Sequence, residues 1–379
     1  MKRVSLLGST GSIGTQALDV IAALGWEVVA LSAHSNATLL EEQVRRFRPK
    51  FAAMACKASA KELRAAIADT ATKVVTVNDC AAQPCDMLLN AIVGIAGLAP
   101  TVEALKAGNP IALANKESLV AGGELVMRLA REKNLPILPL DSEHSAVFQC
   151  LQGSGAGELQ RIILTASGGA FFGKTQEELA CVSAEGALKH PVWRMGPKIT
   201  VDSATMFNKG LEVIEAAWLF GLPAERVDVL VHRQGIVHSL VEYNDGAQLA
   251  QLGLPDMRLP IQYALTWPAR LPSPTKRLDL AQLGTLTFER PDHALFPAVE
   301  LCREAWRTGG LAPAALNGAN EAANELFRQG KLRFLDIAHV VAEAMHKTCR
   351  GELSSPDDLD EIFAADKAAR KKVVCLSRP

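Results

Sequence analysis

The chain has 379 residues, of which 49% are hydrophobic, 21% are charged and 5% are aromatic. These values are typical of a folded protein with a largely aliphatic core, and the length is sufficient for two or three domains. The formal net charge of −1 argues against a nucleic-acid-binding surface or a basic membrane-binding patch, so any anionic substrate must be held by local groups.

Residues 1–140 alternate short β-type runs with helical runs. This pattern predicts an α/β protein that begins with a Rossmann-like, doubly wound parallel sheet, here the expected nucleotide-binding domain. Helical stretches such as Thr15–Ala23 and Leu39–Phe47 separate the strands. The predicted strands are Val4–Leu7, Glu27–Leu31, Phe51–Met54, Lys73–Thr76, Met87–Asn90, Pro110–Leu113 and Ile137–Leu140.

Residues 141–266 have longer loops and one strong helix, near Lys209–Phe220, which predicts a central α/β domain with a mixed sheet. Its predicted strands are Arg161–Ala166, Arg226–Val231 and Ser239–Tyr243. Because this segment contains most of the unusual polar clusters, we expect it to be the catalytic domain, which binds metal and substrate.

Residues 267–292 are rich in proline, which indicates a linker that crosses the surface. Residues 293–379 have a helical pattern and predict a C-terminal helical bundle. The last predicted helix follows Ser354-Ser355, with Pro356 at its first position. The four predicted helices are Ala294–Thr308, Pro313–Gln329, Phe334–Cys349 and Pro356–Lys371.

The eight cysteines form no CxxC pair, so we expect no zinc site. We expect the cysteines to be reduced and to pack as small hydrophobic residues, as in a protein of a reducing compartment. The apolar run that follows Met1-Lys2-Arg3 ends at Gly8, which favours a first strand over a signal peptide. The apolar run near Met87–Pro100 is too short and too rich in glycine to span a bilayer. We therefore expect a cytoplasmic protein without a membrane partner.

A glycine-rich loop, Gly8-Ser9-Thr10-Gly11-Ser12-Ile13-Gly14, joins the first predicted strand to the first helix. Glycines permit a tight turn and a close approach of the backbone to a pyrophosphate, and the helix N-terminus adds amide donors. The spacing is G-x-x-G-x-x-G instead of G-x-G-x-x-G. Its position between a strand and a helix favours a dinucleotide-binding loop over an ordinary turn.

The second predicted strand is followed by His34-Ser35-Asn36, and the first acidic residue after it is Glu41. A carboxylate at this point usually binds the ribose 2′-hydroxyl of NAD, and it would repel the 2′-phosphate of NADP. His34, Ser35 and Asn36 can donate hydrogen bonds to such a phosphate. This turn therefore favours NADP(H).

Two carboxylates, Asp141 and Glu143, follow an apolar strand at positions i and i+2. On an extended backbone these side chains would face the same way, and two close carboxylates repel unless a cation intervenes. Hard oxygen ligands suit Mg²⁺ or Mn²⁺. The alternative interpretation is an ordinary acidic surface turn.

A third carboxylate is available from Glu212, which we expect in the first turn of the helix that follows Asn208-Lys209. Apolar neighbours, Leu211 and Val213, favour a role for Glu212 as a ligand. We expect Glu215 instead on the solvated face of this helix.

Two polar segments are candidate phosphate sites. Ser167-Gly168-Gly169 ends a strand with exposed amides and a hydroxyl. The segment Thr200–Lys209 clusters Ser203, Asn208 and Lys209 before a helix, where a lysine is unfavourable unless an anion is bound. Taken alone, either segment is more typical of an ordinary polar loop with incidental serines than of a phosphate site.

Between these segments lies His190-Pro191-Val192-Trp193-Arg194-Met195-Gly196. Large apolar residues in a loop of this kind predict a flap, residues 189–197, that closes over substrate and excludes water. The alternative is that Trp193 packs permanently into the core.

Together these motifs, with Ala114-Asn115-Lys116-Glu117-Ser118, resemble those of the 1-deoxy-D-xylulose 5-phosphate reductoisomerase family, in the family's order and over essentially the whole chain. The resemblance implies an oxidoreductase and isomerase that requires NADPH and a divalent cation, Mg²⁺, Mn²⁺ or Co²⁺. It implies conversion of 1-deoxy-D-xylulose 5-phosphate to 2-C-methyl-D-erythritol 4-phosphate, in non-mevalonate isoprenoid precursor biosynthesis. It also implies a homodimer.

The resemblance implies the following site residues. The metal ligands are Asp141, Glu143 and Glu212, and the catalytic residues are these three with Lys116 and His190. The substrate-binding residues are Lys116, Ser142, Glu143, Ser167, His190, Trp193, Ser203, Asn208, Lys209, Glu212 and Met257. The cofactor-binding residues are Thr10, Gly11, Ser12, Ile13, Asn115, Glu117 and Gly196. The chain departs from the family at His34, Ser35 and Asn36, the expected 2′-phosphate contacts, because family members often carry Gly-Lys-Asn or Gly-Ser-Asn in this turn.

Two chemical routes stay open, a retro-aldol cleavage with aldol recombination and a concerted α-ketol shift, each followed by hydride transfer from NADPH. A simple NADP-dependent dehydrogenase without skeletal rearrangement is the main alternative, and a non-catalytic nucleotide sensor is another. Either would explain the glycine-rich loop, but not three carboxylates together with a phosphate-binding cluster.

Overall fold

The structure is a computed structural model that describes residues 1–155, 157–193, 195–349 and 358–377. The strands are β1 (Arg3–Leu7), β2 (Glu27–Ala33), β3 (Phe51–Met54), β4 (Lys73–Val75), β5 (Met87–Asn90), β6 (Ile111–Leu113), β7 (Ile137–Pro139), β8 (Leu159–Ala166), β9 (Val227–Val231), β10 (Val237–Tyr243) and β11 (Gln248–Leu252).

The helices are α1 (Ser12–Leu24), α2 (Ala37–Phe47), α3 (Lys57–Ala66), α4 (Val77–Ala81), α5 (Leu98–Lys106), α6 (Lys116–Glu132), α7 (Ser142–Cys150), α8 (Gln176–Ala180), α9 (Ala184–Ala187), α10 (Pro197–Ala204), α11 (Phe207–Phe220), α12 (Arg258–Thr266), α13 (Leu280–Leu283), α14 (Ala298–Thr308), α15 (Ala312–Arg328), α16 (Asp336–Thr348) and α17 (Leu359–Leu376). None of the described helices combines the length and the hydropathy needed to cross a bilayer.

The described chain divides into two compact units. The first unit comprises Met1–Ser118, Val126–Ser145 and Asp256–Thr275, and the second comprises Leu119–Leu125, Ala146–Pro255 and Lys276–Pro379. The second unit thus contains both the central sheet and the C-terminal helices. The four-part division at residues 140, 266 and 292 stays a prediction.

The first unit is built on a parallel sheet with the strand order β4-β3-β2-β1-β5-β6-β7. Runs of apolar residues form its central strands, because these strands are covered on both faces: Leu6, Leu7, Leu88 and Leu89 have no exposed surface. The strand order reverses at β1, which is flanked by β2 and β5. In sheets of this kind a ligand binds outside the carboxyl ends of the strands at the reversal point. The predicted doubly wound sheet is confirmed.

The second unit contains a sheet with the order β11-β10-β8-β9. It is mixed, as predicted: β8 pairs with β9 in parallel and with β10 in antiparallel orientation. Strand β11 was not predicted. Within the described residues it is an edge strand that pairs with β10 alone. Its residues 248–250 are exposed, so its sequence lacks the apolar run of a buried strand.

The C-terminal part of the second unit is helical, as predicted. Helix α15 is buried along most of its length, and it packs against α10, α14, α16 and α17. Helix α14 begins at Ala298 instead of Ala294, because Asp292 accepts hydrogen bonds from the amides of Ala294 and Leu295 and holds them in a turn. The predicted cap at Ser354-Ser355-Pro356 lies outside the described residues.

The proline-rich segment 267–292 is largely exposed and contains the short helix α13, and Glu289 forms an antiparallel bridge with Val231 of β9. Its first part belongs to the first unit and its last part, from Lys276, to the second.

Candidate active site

The glycine-rich loop between β1 and α1 is shaped by close backbone contacts. Gly8 has φ +82°, and a Cβ atom there would lie 2.5 Å from the carbonyl oxygen of Ala91. A Cβ atom on Gly14 would lie 2.2 Å from the carbonyl oxygen of Gly8. Only glycine fits these positions. The amide of Gly11 donates to the carbonyl oxygen of Gly8 at 3.1 Å, and Gly11 and Ser12 are exposed at the start of α1, where the helix N-terminus can bind an anion.

A side chain from α2 holds this loop in place. Ser9 is buried, and its Oγ donates to Oε1 of Gln43 at 2.6 Å, while Nε2 of Gln43 donates to the Ser9 carbonyl at 2.9 Å. The amides of Gly8 and Ser9 both donate to the carbonyl oxygen of Ser32. Sequence reasoning missed Gln43. Its signal was a polar residue on the apolar face that Leu40 and Val44 define.

The turn after β2 carries His34, Ser35 and Asn36, all exposed. Asn36 caps α2, because its Oδ1 accepts a hydrogen bond from the amide of Leu39 at 3.1 Å. The carbonyl of His34 accepts from the amide of Cys56. The turn is therefore fixed by local bonds, and it is free of carboxylates in the sequence.

The loop after β5 is a second feature that the sequence did not reveal. Nδ2 of Asn115 donates to the carbonyls of Ile92 and Gly94 at 2.7 and 2.8 Å, and its Oδ1 accepts from the amide of Ser118 and so caps α6. The side-chain amide of Asn115 thus forms hydrogen bonds with groups of the protein itself. It fixes the loop that packs against Gly8, and it sets the start of the helix that carries Lys116 and Glu117.

Asp141 follows strand β7. Its side chain lies beside that of Lys116, the first residue of helix α6. Nζ of Lys116 donates to Oδ2 of Asp141 at 2.9 Å, and the side chains are only 6% and 11% exposed. Nδ1 of His144 lies 3.3 Å from Oδ1 of Asp141. Asp141 and Glu143 each offer a carboxylate oxygen within 4.8 Å of the other. A buried ammonium group therefore balances part of a dense negative charge.

The expectation of an extended backbone at Asp141–Glu143 was wrong. Helix α7 begins at Ser142, and the amide of Glu143 donates to Oδ1 of Asp141 at 3.2 Å. Asp141 therefore acts as a cap, and Glu143 lies in the first helical turn, held by a hydrogen bond from Oγ of Ser142. The two carboxylates come together through this cap and not through strand alternation.

Helix α11 of the second unit contains a buried polar cluster. Glu212 is 1% exposed, and it accepts hydrogen bonds from Nδ2 of Asn208 and Nζ of Lys209. Glu212 lies in the second turn of α11, since the helix begins at Phe207, and not in the first turn as expected. Glu215, expected on a solvated face, has no exposed surface. Glu212 itself compensates the charge of Lys209 near the helix N-terminus.

Ser167, His190 and Ser203 meet in the second unit. Nε2 of His190 lies 2.8 Å from Oγ of Ser167 and 3.1 Å from Oγ of Ser203. Nδ1 of His190 accepts hydrogen bonds from the amides of Val192 and Trp193, at 3.2 and 2.8 Å. Nδ1 therefore carries no proton, and the neutral ring has its proton on Nε2. Burial lowers the pKa of His190 to about 4, which keeps the ring neutral near pH 7.

Two unusual backbone positions bring this cluster together. Gly169 has φ +70°, and a Cβ atom there would lie 2.5 Å from the carbonyl oxygen of Ser203. Met206, between α10 and α11, has φ +65°, which L side chains rarely adopt. This sharp turn joins the helix that carries Ser203 to the helix that carries Asn208 and Lys209.

The predicted flap lies over the second sheet. Trp193 is half-buried, and its ring centroid lies 6.3 Å from that of His238. Val192 packs closely against Gly235 of the β9–β10 turn. Gly196 caps α10, Met195 is half-buried, and Arg194 lies outside the described residues. Met257, the remaining predicted residue, precedes α12 in the first unit.

Three family models match the chain. Residues 4–123 match the model described as 1-deoxy-D-xylulose 5-phosphate reductoisomerase. Residues 137–220 match the C-terminal domain model of the same family, and residues 252–372 match the model of the DXP reductoisomerase C-terminal domain. These matches together span most of the chain.

Individual relatives cover the chain almost completely. The 1-deoxy-D-xylulose 5-phosphate reductoisomerase of Gloeobacter violaceus is 52% identical over 384 residues, which cover 98% of this chain and 97% of the relative. That of Synechococcus sp. is 50% identical and covers 100% and 98%. The Zymomonas mobilis enzyme in complex with NADPH superimposes with a TM-score of 0.92 at 41% identity, covering 100% of this chain and 99% of that one. A DOX-P reductoisomerase in complex with NADPH, fosmidomycin and magnesium gives 0.94 at 38% identity, with both chains fully covered.

Proposed function

Because the chain belongs to the 1-deoxy-D-xylulose 5-phosphate reductoisomerase family, we propose that it rearranges 1-deoxy-D-xylulose 5-phosphate and reduces the product with NADPH to 2-C-methyl-D-erythritol 4-phosphate. The observation that carries the proposal is the pairing of Lys116 with Asp141 at the carboxyl edge of the same sheet that bears the glycine-rich loop. Three strand spacings of about 4.8 Å separate β1 from β7, so roughly 14 Å of sheet edge lies between loop and carboxylate.

NADPH binds, in this proposal, at the first unit. Thr10, Gly11, Ser12 and Ile13 contact the dinucleotide, whose pyrophosphate lies at the start of α1, and the turn His34-Ser35-Asn36 holds the 2′-phosphate. Asn115 supports this site indirectly, because its side chain orders the loop beside Gly8. A solved relative binds NADPH, which supports the choice of cofactor.

A divalent cation binds Asp141, Glu143 and Glu212. The donor set fits such an ion, because all three side chains are carboxylates, which offer the hard oxygen ligands that small divalent ions prefer, and Glu212 is 1% exposed. A solved relative contains magnesium. Mg²⁺, Mn²⁺ and Co²⁺ all suit these ligands.

The substrate phosphate is held by Ser167, Ser203, Asn208 and Lys209, with His190 between the two serines. Neutral His190 presents an N–H group at Nε2, which donates to an oxyanion without adding a charge that would have to be desolvated. The amides of Val192 and Trp193 bond to the same ring, so phosphate binding and flap position are coupled through His190. Trp193 and Met195 exclude water when the flap is closed.

When bound, the cation would polarise the substrate ketone and hydroxyl oxygens, and NADPH would supply the hydride. Lys116 adds positive charge at Nζ and can donate a proton to an oxygen that becomes negative. Ser142 fixes the carboxylate of Glu143 through its Oγ hydrogen bond. The phosphate contacts orient the substrate far from the reacting carbons, which is how binding energy accelerates the chemical step. The homodimer stays a further prediction.

The decisive assay follows NADPH absorbance with 1-deoxy-D-xylulose 5-phosphate, with and without chelator, and the carbon skeleton of the product by ¹³C NMR. Mass alone does not discriminate, because simple reduction of the ketone gives an isomer of the same mass. We expect chelator-sensitive oxidation of NADPH and a branched product. A linear product would make the protein a simple dehydrogenase, and Glu212→Gln with wild-type metal dependence would remove Glu212 from the metal site.

A further inference from the structure

A buried carboxylate lies next to Ser203 on α10. Asp202 is 1% exposed, and its Oδ1 accepts hydrogen bonds from Nδ2 of Asn320 at 3.1 Å and Nδ2 of Asn324 at 2.8 Å. Nζ of Lys198 lies 3.0 Å from its Oδ2. Both asparagines belong to α15 and are 1% exposed. A buried carboxylate is stable only when hydrogen-bond donors or cations surround it. The two asparagines and the lysine supply these partners to Asp202.

The same helix holds α10 at a second point. Nδ2 of Asn324 also donates to the carbonyl of Lys198 at 2.8 Å, one turn before Asp202. Oδ1 of Asn324 accepts from Nε of Arg328 at 2.8 Å, which fixes the orientation of the amide. These two contacts, at Lys198 and Asp202, lie one turn apart on α10. Together they fix the rotation of α10 about its axis and its position along that axis relative to α15. They therefore determine where Ser203 points.

Ser203 also contacts the cluster of residues that we assign to the substrate phosphate. Its hydroxyl lies 3.1 Å from Nε2 of His190, and its carbonyl lies where a Cβ atom on Gly169 would be only 2.5 Å away. A shift of α10 by a fraction of an ångström would thus disturb the Ser167–Gly169 turn and the His190 ring together. Packed interiors transmit such shifts because they contain little free volume.

We propose that Asp202, Asn320 and Asn324 are positioning residues for phosphate recognition. Through these residues, helix α15 determines the position of Ser203 relative to His190 and Ser167. This inference rests on the proposed function in that Ser203 meets the substrate phosphate. It gives helix α15 an indirect part in substrate affinity, through the position of Ser203.

The test compares Asn324→Leu with Asn317→Leu. Asn317 lies two turns earlier on α15, is equally buried, and bonds instead to Glu321 and Asp366. For each variant we would measure the melting temperature, the KM for substrate, the KM for NADPH and the inhibition constant of inorganic phosphate. Isothermal titration with inorganic phosphate gives the same information without turnover. It therefore separates failure of this inference from failure of the proposed activity.

We expect Asn324→Leu to weaken phosphate binding and raise the substrate KM, each on the order of tenfold, with a smaller change in kcat and an unchanged KM for NADPH. Asn317→Leu should lower the melting temperature without changing phosphate affinity. Equal effects of the two variants on phosphate affinity, or none from Asn324→Leu, would overturn the inference. If Asn324→Leu does not fold, Asn320→Leu, which loses one hydrogen bond to Asp202, serves with the same criteria.

Discussion

Nζ of Lys116 lies 2.9 Å from Oδ2 of Asp141, and both side chains are almost fully buried. The ammonium group thus forms an ion pair with the carboxylate that, in our proposal, binds the cation. A positive charge this close disfavours a second cation at the same oxygen atoms. In this proposal Lys116 would therefore have two opposing effects, because its charge would weaken metal binding and would assist the reaction.

Lys116→Met tests this opposition. We expect the variant to bind Mn²⁺ several-fold more tightly than the wild type, because the local negative charge is no longer compensated. Its kcat should fall by two orders of magnitude or more, since a charge at the reacting oxygens is lost. Mn²⁺ titration by electron paramagnetic resonance measures the first effect and steady-state kinetics the second. Weaker metal binding in the variant would contradict this account of Lys116.

Gln43 is expected to control cofactor affinity without touching the cofactor. Gln43→Leu keeps the volume but removes both hydrogen bonds to Ser9, so the glycine-rich loop becomes mobile. We predict a KM for NADPH higher by about tenfold, in line with the loss of two buried hydrogen bonds, and an unchanged KM for substrate. Gln83→Leu, which removes only a hydrogen bond to the Asp79 carbonyl, is the control. Equal effects of both changes would refute the role.

The pKa of His190 predicts a specific pH dependence of stability. Burial lowers it from 6.5 to about 4, so the unfolded chain takes up the proton first as the pH falls. The stability that neutral His190 contributes is present in full above about pH 6.5 and is lost as the pH falls towards 4. Thermal unfolding at a series of pH values should therefore show a steeper loss for the wild type than for His190→Gln. Parallel curves would show that His190 is not held neutral by the fold.

The contact between Gly169 and Ser203 can be tested with a pair of glycine variants. Gly169 and Gly173 both have positive φ, +70° and +80°, so alanine strains the backbone at either position, by roughly 1–2 kcal/mol. Among the described residues, only the Gly169 variant would press its Cβ atom against the Ser203 carbonyl. Phosphate affinity should therefore fall in Gly169→Ala and stay unchanged in Gly173→Ala. The reverse order would place the phosphate away from Ser203.

The sequence predicted the parallel sheet well, because buried strands such as Ile111–Leu113 are continuous apolar runs whose identity depends little on their neighbours. It failed where a residue's role depends on a distant partner. Gln43 is explained only by Ser9, and Asp202 only by two asparagines more than a hundred residues away. The burial of Glu215 was likewise invisible, because helical periodicity does not reveal that a helix is enclosed on all sides.

Sequence reasoning predicted which candidate carboxylates lie close together better than it predicted their local geometry. It singled out Asp141 and Glu143, but it expected a strand where the Asp141 side chain caps a helix. Capping depends on which of several local hydrogen bonds forms, and residue spacing alone does not determine that choice.

The most direct test of the metal site is anomalous diffraction from a crystal grown or soaked with Mn²⁺. We expect one strong peak bonded to carboxylate oxygens of Asp141, Glu143 and Glu212, at roughly the 2.0–2.2 Å typical of small divalent ions. A peak that lacks any one of these three ligands, or that lies elsewhere in the molecule, would contradict the proposed metal site and the chemistry derived from it.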